Sequence, residues 1–290
     1  MSERARYPAG VPCWVETLQP DLSAALAFYG PLFGWEFAGP SPMPGEPPEQ
    51  YFVARVSGRD VAGVGSPPRE GRTGAPTWRT SIRVDSADEA AARAITAGGS
   101  LRSGPLDIPA AGRLAVLADP AGALVGVWEA RAREGAQLVN EPRAWALSAL
   151  RSADPDGSRK FYGSVFGWQP ETLGAPGSQL TLWRLPGYVG GQPNQPVPRD
   201  VVGIMTPLGD NASPDEQLSH WSVDFFVDDV DASADRAAKL GGTVVVPPHD
   251  TPGFRGAVLA DPQGAVFSVS MQTAATTPPV HDAAPGQVRS

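Results

Sequence analysis

The 290-residue chain predicts an α+β protein in which one β-α-β-β-β unit is used four times, two units in each of two tandem domains. Three repeats carry that expectation. Phe28-Tyr29-Gly30-Pro31-Leu32-Phe33-Gly34-Trp35 returns 133 residues later as Phe161-Tyr162-Gly163-Ser164-Val165-Phe166-Gly167-Trp168, with six of eight positions identical. Val84-Asp85 followed by Gly98-Gly99 returns 143 residues later as Val227-Asp228 followed by Gly241-Gly242. Leu117-Ala118-Asp119-Pro120-Ala121-Gly122-Ala123 returns after 142 as Leu259-Ala260-Asp261-Pro262-Gln263-Gly264-Ala265. The near-constant offset means that the whole of one half is repeated.

The length predicts two domains, each able to bury a core. With 41% hydrophobic and 19% charged residues the chain belongs among soluble globular proteins. A net charge of −8 without a basic cluster argues against nucleic acid or an anionic membrane as partner. Cys13 stands alone, which rules out an internal disulfide and fits a reducing compartment. No stretch resembles a signal peptide or reaches the length of a membrane span, so a cytoplasmic protein is expected.

Taken in order, residues 1–10 form a loose leader and Pro12 to Thr17 a strand. A helix follows from about Leu22 to Phe33, capped by Asp21 and closed by Gly34, as its copy is by Asp154 and Gly167. Spacing puts Phe28, Phe33, Phe161 and Phe166 on the buried face. Pro31 is a misfit that should bend or end the first copy early. Residues 38–50, with five prolines and two glycines, read as a loop, free or packed as a lid. Tyr51 to Val56 and Val61 to Val64 form a hairpin, and Trp78 to Val84 is a strand. An acidic-first helix runs from Ser86 to Ala97, and strands follow near 100–102, 114–118 and 123–129. The second half repeats this order, with an 11-residue insertion, Tyr188 to Pro198, at a hairpin tip. The ordered halves span 11–132 and 143–272, with the boundary near Ala132 to Pro142. A Thr-, Ala- and Pro-rich tail, 273–290, is expected to be disordered.

These residues resemble the vicinal oxygen chelate superfamily, which includes glyoxalase I, extradiol dioxygenases and bleomycin-resistance proteins. The pattern Asp-x5-Phe-Tyr-x3-Phe-Gly-Trp, then Val-Asp, a helix, Gly-Gly and Asp-Pro-x-Gly-Ala carries the resemblance over both halves. It implies two tandem glyoxalase-like domains whose paired modules curl around a cup. Catalytic members hold a divalent metal there on His, Gln and Glu side chains. Matched by position, the three ligand places fall on Trp14, Arg79 and Gly126 in the first half. In the second they fall on Leu147 (or Trp145 with a two-residue gap), Ser222 and Ser268. None is a usual ligand, so no metal and no cofactor are expected.

Of the three histidines, His220, His249 and His281, only His220 sits near a ligand place, sharing a strand face with Ser222 and Asp224. Glu16, two residues past Trp14, is the acid/base candidate of the first half. Catalytic candidates are therefore Glu16, Arg79, His220 and Asp224. A cup with indole faces and a guanidinium favours a flat, conjugated ligand with an anionic or carbonyl group. The ligand-binding expectation is Trp14, Glu16, Arg79, Ser81, Trp128 and Trp183, with Ser222 and Ser268 in the second half. Trp35, Trp168, Trp78 and Trp221 recur in both halves and read as framework. Two functions stay open. One is a metal-independent binding protein that sequesters a planar aromatic metabolite or antibiotic. The other is a tailoring enzyme of specialised metabolism, such as a hydroxylase, cyclase or lyase. A monomer or homodimer suits either.

Overall fold

The computed structural model describes residues 6–43, 49–67, 76–174, 179–191, 197–208 and 218–273. The first half runs β1 (Pro12–Leu18), α1 (Leu22–Phe33), β2 (Glu36–Met43), β3 (Glu49–Val56), β4 (Arg59–Gly65), then β5 (Trp78–Arg83), α2 (Ala87–Thr96), β6 (Ser100–Ile108), β7 (Gly112–Ala118), β8 (Leu124–Ala130). The second runs β9 (Trp145–Ser152), α3 (Pro155–Phe166), β10 (Gln169–Leu173), β11 (Leu180–Arg184), β12 (Val201–Pro207), then β13 (His220–Phe226), α4 (Val230–Lys239), β14 (Thr243–Thr251), β15 (Phe254–Ala260), β16 (Val266–Gln272). Each half is one eight-stranded sheet, ordered β2-β3-β4-β1-β5-β8-β7-β6 and β10-β11-β12-β9-β13-β16-β15-β14. Two modules meet in each sheet at a central antiparallel pair, β1 with β5 and β9 with β13. No helix among the described residues is long and apolar enough to cross a membrane.

Local chemistry sets the helix ends. Asp21 and Asp154 accept hydrogen bonds from Ala24 N and Gly157 N at 3.0 and 2.9 Å. Gly34 and Gly167 close the helices in the left-handed region, at φ of 66° and 75°. Pro31 does not shorten α1, which reaches Phe33 and has the same 12 residues as α3. Its ring stands at the exposed surface, and only the bond to the Ala27 carbonyl is forfeited. Leu32 and Phe33, buried next to it, hold the last turn in place. Pro31→Ala should therefore stabilise the protein by roughly 1–2 kcal/mol, the regained helix bond being partly offset by a freer unfolded chain. Thermal melting checks this, and a lower midpoint would show that the proline is needed.

The proline-rich stretch read as a loop is in part strand β2, whose Pro40 and Pro42 lie where no neighbour needs their missing N–H. Every one of the four sheet edges carries proline: β2, β6 (Pro105), β10 (Pro170) and β14 (Pro247, Pro248). That is the position where proline is tolerated and where it blocks pairing with another chain. Strand β6 likewise exceeds the expected 100–102, because an exposed edge shows no alternating burial to read. Residues 44–48 of the expected loop, 192–196 of the insertion and 274–290 of the tail lie outside the described residues.

The three sequence repeats prove to be parts of one interlock between the halves. Phe28 and Tyr29 of α1 reach into the second half, where Tyr29 Oη donates to Asp261 at 2.8 Å. Tyr162 of α3 does the same to Asp119 at 3.3 Å. The second glycine of each pair makes room for the incoming ring. A Cβ on Gly242 would stand 2.9 Å from Phe28, and one on Gly99 would stand 2.5 Å from Phe161. Phe33 and Phe28 then pack on Phe225 and Phe267 of β13 and β16. The four recurring tryptophans are framework, each 5% exposed or less. Trp78 and Trp221 donate to Tyr29 and Tyr162 Oη at 3.0 and 2.7 Å.

Candidate functional site

Strand register brings the candidate residues together in pairs. Across β1 and β5, Trp14 faces Ser81 and Glu16 faces Arg79, while Ser81 lies beside Gly126 of β8 and Arg83 beside Trp128. A cavity of about 440 Å³ opens on this face, within the usual size for a small-molecule site. Trp14, Glu16, Ser81 and Trp128 line it, with Tyr51 of β3. Its far wall is the β6–β7 turn, Ile108 to Ala111, and the segment joining the two sheets, through Ala132, Arg133 and Gly135.

A chain of hydrogen bonds runs along the polar side. Trp14 Nε1 donates to Tyr51 Oη at 2.7 Å, and Tyr51 Oη donates to Glu16 Oε2 at 2.7 Å. Arg79 Nη2 donates to the other oxygen, Glu16 Oε1. Glu16 is only 5% exposed, so its charge is tolerable because both oxygens are bonded and a cation sits beside it. Burial, and then the charge of Glu16, hold the Tyr51 phenol well above its ordinary range, so it remains a donor. Arg79 is half-buried and occupied by Glu16; it is absent from the cavity wall, where the sequence had placed it. The wall contributes Arg133 instead, its guanidinium 5.5 Å from the Trp14 ring centroid. Sequence reading missed Tyr51 and Arg133. Tyr51 lies in a strand with no ligand place of its own, and Arg133 in the stretch read as a domain boundary.

In the second half the register decides between the alternatives. Leu147 faces Asp224 as Trp14 faces Ser81, so Leu147, and not Trp145, stands at the first place. Trp145 pairs with Phe225 and is buried. Ser268 lies beside Asp224, as Gly126 does beside Ser81. Ser222 Oγ donates to the Ala149 carbonyl at 3.2 Å, and Ser270 Oγ donates to Asp224. His220 Nδ1 lies 2.8 Å from the Leu218 carbonyl. Trp183 is a correction: it is fully buried, packed on Tyr162 and Trp168, and presents no surface to a ligand.

Burial pushes the Asp224 carboxyl up to about 7 from 3.8, with the Ser270 bond pulling the other way. A raised carboxyl holds its proton more tightly folded than unfolded, so its contribution to stability is present at low pH and is lost between about pH 4 and 7. Asp224→Asn should therefore match the wild type only below about pH 4 and exceed it by a margin that grows up to about pH 7, read as urea midpoints. A wild type that gains on the variant as pH rises would contradict this.

The residues present do not fit the divalent metal of catalytic superfamily members. Glu16 is a single carboxylate already bonded at both oxygens, with a guanidinium where the second ligand would stand. At the third place, a Cβ on Gly126 would meet Ser81 Oγ at 2.2 Å, so Ser81 fills the space a longer side chain would need. In the second half, His220 and Asp224 are four residues apart on one strand, roughly 13 Å, too far to share an ion. Among the described residues no three His, Cys, Asp or Glu side chains gather.

A sequence profile for the glyoxalase-like domain matches residues 14–128 and again 147–270. The provisionally named glyoxylase CFP32 of Mycobacterium tuberculosis is 37% identical over 273 residues, 93% of this chain and 97% of that one. DnrV, an anthracycline biosynthesis protein of Streptomyces peucetius, is 34% identical over 277 residues, 91% and 94% of the two chains. Among solved structures, the 2,3-dioxygenase LapB of Pseudomonas sp. KL28 aligns over 93% of this chain and 94% of its own, with a TM-score of 0.62 and 14% identity. The Mn(II)-bound glyoxalase of Novosphingobium aromaticivorans aligns over 90% and 82%, with a TM-score of 0.59 and 17% identity. These two likenesses concern the fold.

Proposed function

The chain belongs to the glyoxalase-like domain family, within the vicinal oxygen chelate superfamily, and from that premise we propose that it binds a planar aromatic small molecule in the cup of its first domain, without a resident metal. The observation that carries this reading is the cavity itself. Trp14, at the first ligand place, lines it together with Trp128 and Tyr51. A flat ring lying there would bury apolar area at about 25 cal/mol per Å², and stacking on an aromatic wall adds about 0.5–1.5 kcal/mol. The relative named for anthracycline biosynthesis supports a polycyclic ligand of specialised metabolism. Sequestration or resistance is the role such binding would serve.

Tryptophan fluorescence titrated with a panel of polycyclic quinones tests the reading. Quenching that saturates is expected, and Trp128→Ala should weaken it about tenfold or more, a loss of roughly 1.4 kcal/mol. Ser268→Ala should change little. If Ser268→Ala and Asp224→Asn do the damage and Trp128→Ala does none, the working cup is the second. One observation favours that outcome: Asp224, raised to about 7, has the protonation a general acid or base needs near neutral pH. The protein would then be a tailoring enzyme acting through Asp224, and consumption of the quinone would accompany binding.

A further inference from the structure

We infer that the ligand of the first cup carries an anionic oxygen on its aromatic frame, and that Arg133, from the segment joining the two domains, is the residue that recognises it. This rests on the ring-binding reading above and specifies the chemical class of the ligand.

Most polar side chains of the cavity are already paired. Trp14 Nε1 is spent on Tyr51, and Trp128 Nε1 donates to the Arg133 carbonyl at 2.8 Å. Both oxygens of Glu16 are taken by Arg79 and Tyr51. What remains are the hydroxyls of Ser41 and of Ser81, the latter 2% exposed, neither with a side-chain hydrogen bond among the described residues, and the guanidinium of Arg133. The carboxylate facing Arg133 is Asp60, whose Oδ2 lies 3.9 Å from Nη2, beyond hydrogen-bond distance, while its Oδ1 takes Arg55 Nε at 2.7 Å. Within the set Glu16, Arg79, Asp60, Arg55 and Arg133, three cations face two carboxylates: Arg79 and Arg55 make the close pairs, and Arg133 keeps only the 3.9 Å approach to Asp60.

Its placement is that of a preorganised donor. The Arg133 backbone is pinned on both sides, its N–H to the Ala111 carbonyl at 3.1 Å and its carbonyl to Trp128. The guanidinium carbon lies over the Trp14 ring, 5.5 Å from its centroid, which holds the cation at the cavity wall while its N–H groups remain able to donate to a second group. A guanidinium edge matches a carboxylate or ionised phenol better than any neutral oxygen, and the half-buried wall strengthens the pairing.

The test uses the full chain with two probes of one shape, anthraquinone-2-carboxylate and anthraquinone-2-carboxamide, followed by tryptophan quenching. The wild type should bind the carboxylate about tenfold more tightly at low salt, and added NaCl should narrow the gap. Arg133→Gln should bind both alike, and Arg133→Lys should keep part of the preference. Since Arg133 holds the fold through its backbone, both variants should melt close to the wild type. Equal affinity for the probes in the wild type, or a preference that survives Arg133→Gln, overturns the inference and leaves ring binding standing. Quenching by neither probe overturns the ring-binding reading and this inference with it.

Discussion

Asp261→Ala is expected to be among the most damaging substitutions outside the hydrophobic core, costing roughly 3–5 kcal/mol in urea unfolding. Asp261 is 3% exposed and accepts four hydrogen bonds. Oδ2 takes Gln19 Nε2 and Tyr29 Oη, both at 2.8 Å, from the other domain. Oδ1 takes the backbone N–H groups of Gln263 and Ala265 at 2.9 and 2.8 Å, which shape the turn before β16. Alanine would leave all four donors buried and would also unfasten α1 from the second sheet. Asp119→Ala should cost less. Asp119 has three such donors, and its bond from Tyr162 is longer, at 3.3 Å. Equal and small effects of the two changes would show that the halves are held by ring packing alone.

Gly63→Ala is expected to disable the first cup. Gly63 lies beside Glu16 in the sheet, and a Cβ there would stand 1.8 Å from Tyr51 Oη and 3.0 Å from Trp14 Nε1. The phenol would have to leave, breaking its bonds to Trp14 and Glu16 and moving into the space a ligand would fill. Overpacking of this kind costs about 1–3 kcal/mol, and each buried polar group left unpaired adds about 1–3. Ligand quenching should be lost together with several degrees of melting temperature. Gly63→Ala combined with Tyr51→Ala should cost less than the two changes summed, because removing the phenol removes the collision. Strict additivity would mean that the glycine serves some other purpose.

How far these features could be read from the chain depends on whether their cause is local. Helix caps were legible because Asp21, Asp154, Gly34 and Gly167 act on neighbours a few residues away. The face shared by Trp14, Glu16, Ser81 and Trp128 was legible because strand alternation is local too. The partners of those residues were not. Tyr51 reaches Glu16 across 35 positions, and Arg79 satisfies a carboxylate in place of a ligand, which no spacing rule reveals. Trp183 looked available because the packing of Tyr162 and Trp168 against it, from elsewhere in the same half, leaves no mark on its own strand.

The cross-domain bonds had a signal that went unread. A buried tyrosine and a buried aspartate each recur in both halves, and two polar groups that repeat together are candidates to be partners. Edge strands were the hardest to see, since β2 and β6 carry proline and β6 exposes most of its length. Their position in the sheet, a property of the whole fold, is what makes such sequences strands.

The central claim is that the first cup holds a flat aromatic ligand without a resident metal. It is tested most directly by calorimetric titration of chelator-dialysed protein with anthraquinone-2-carboxylate. One site per chain is predicted, with the same affinity before chelation, after it, and after Mn²⁺ is returned. Binding that disappears on chelation and comes back with the metal would contradict the account.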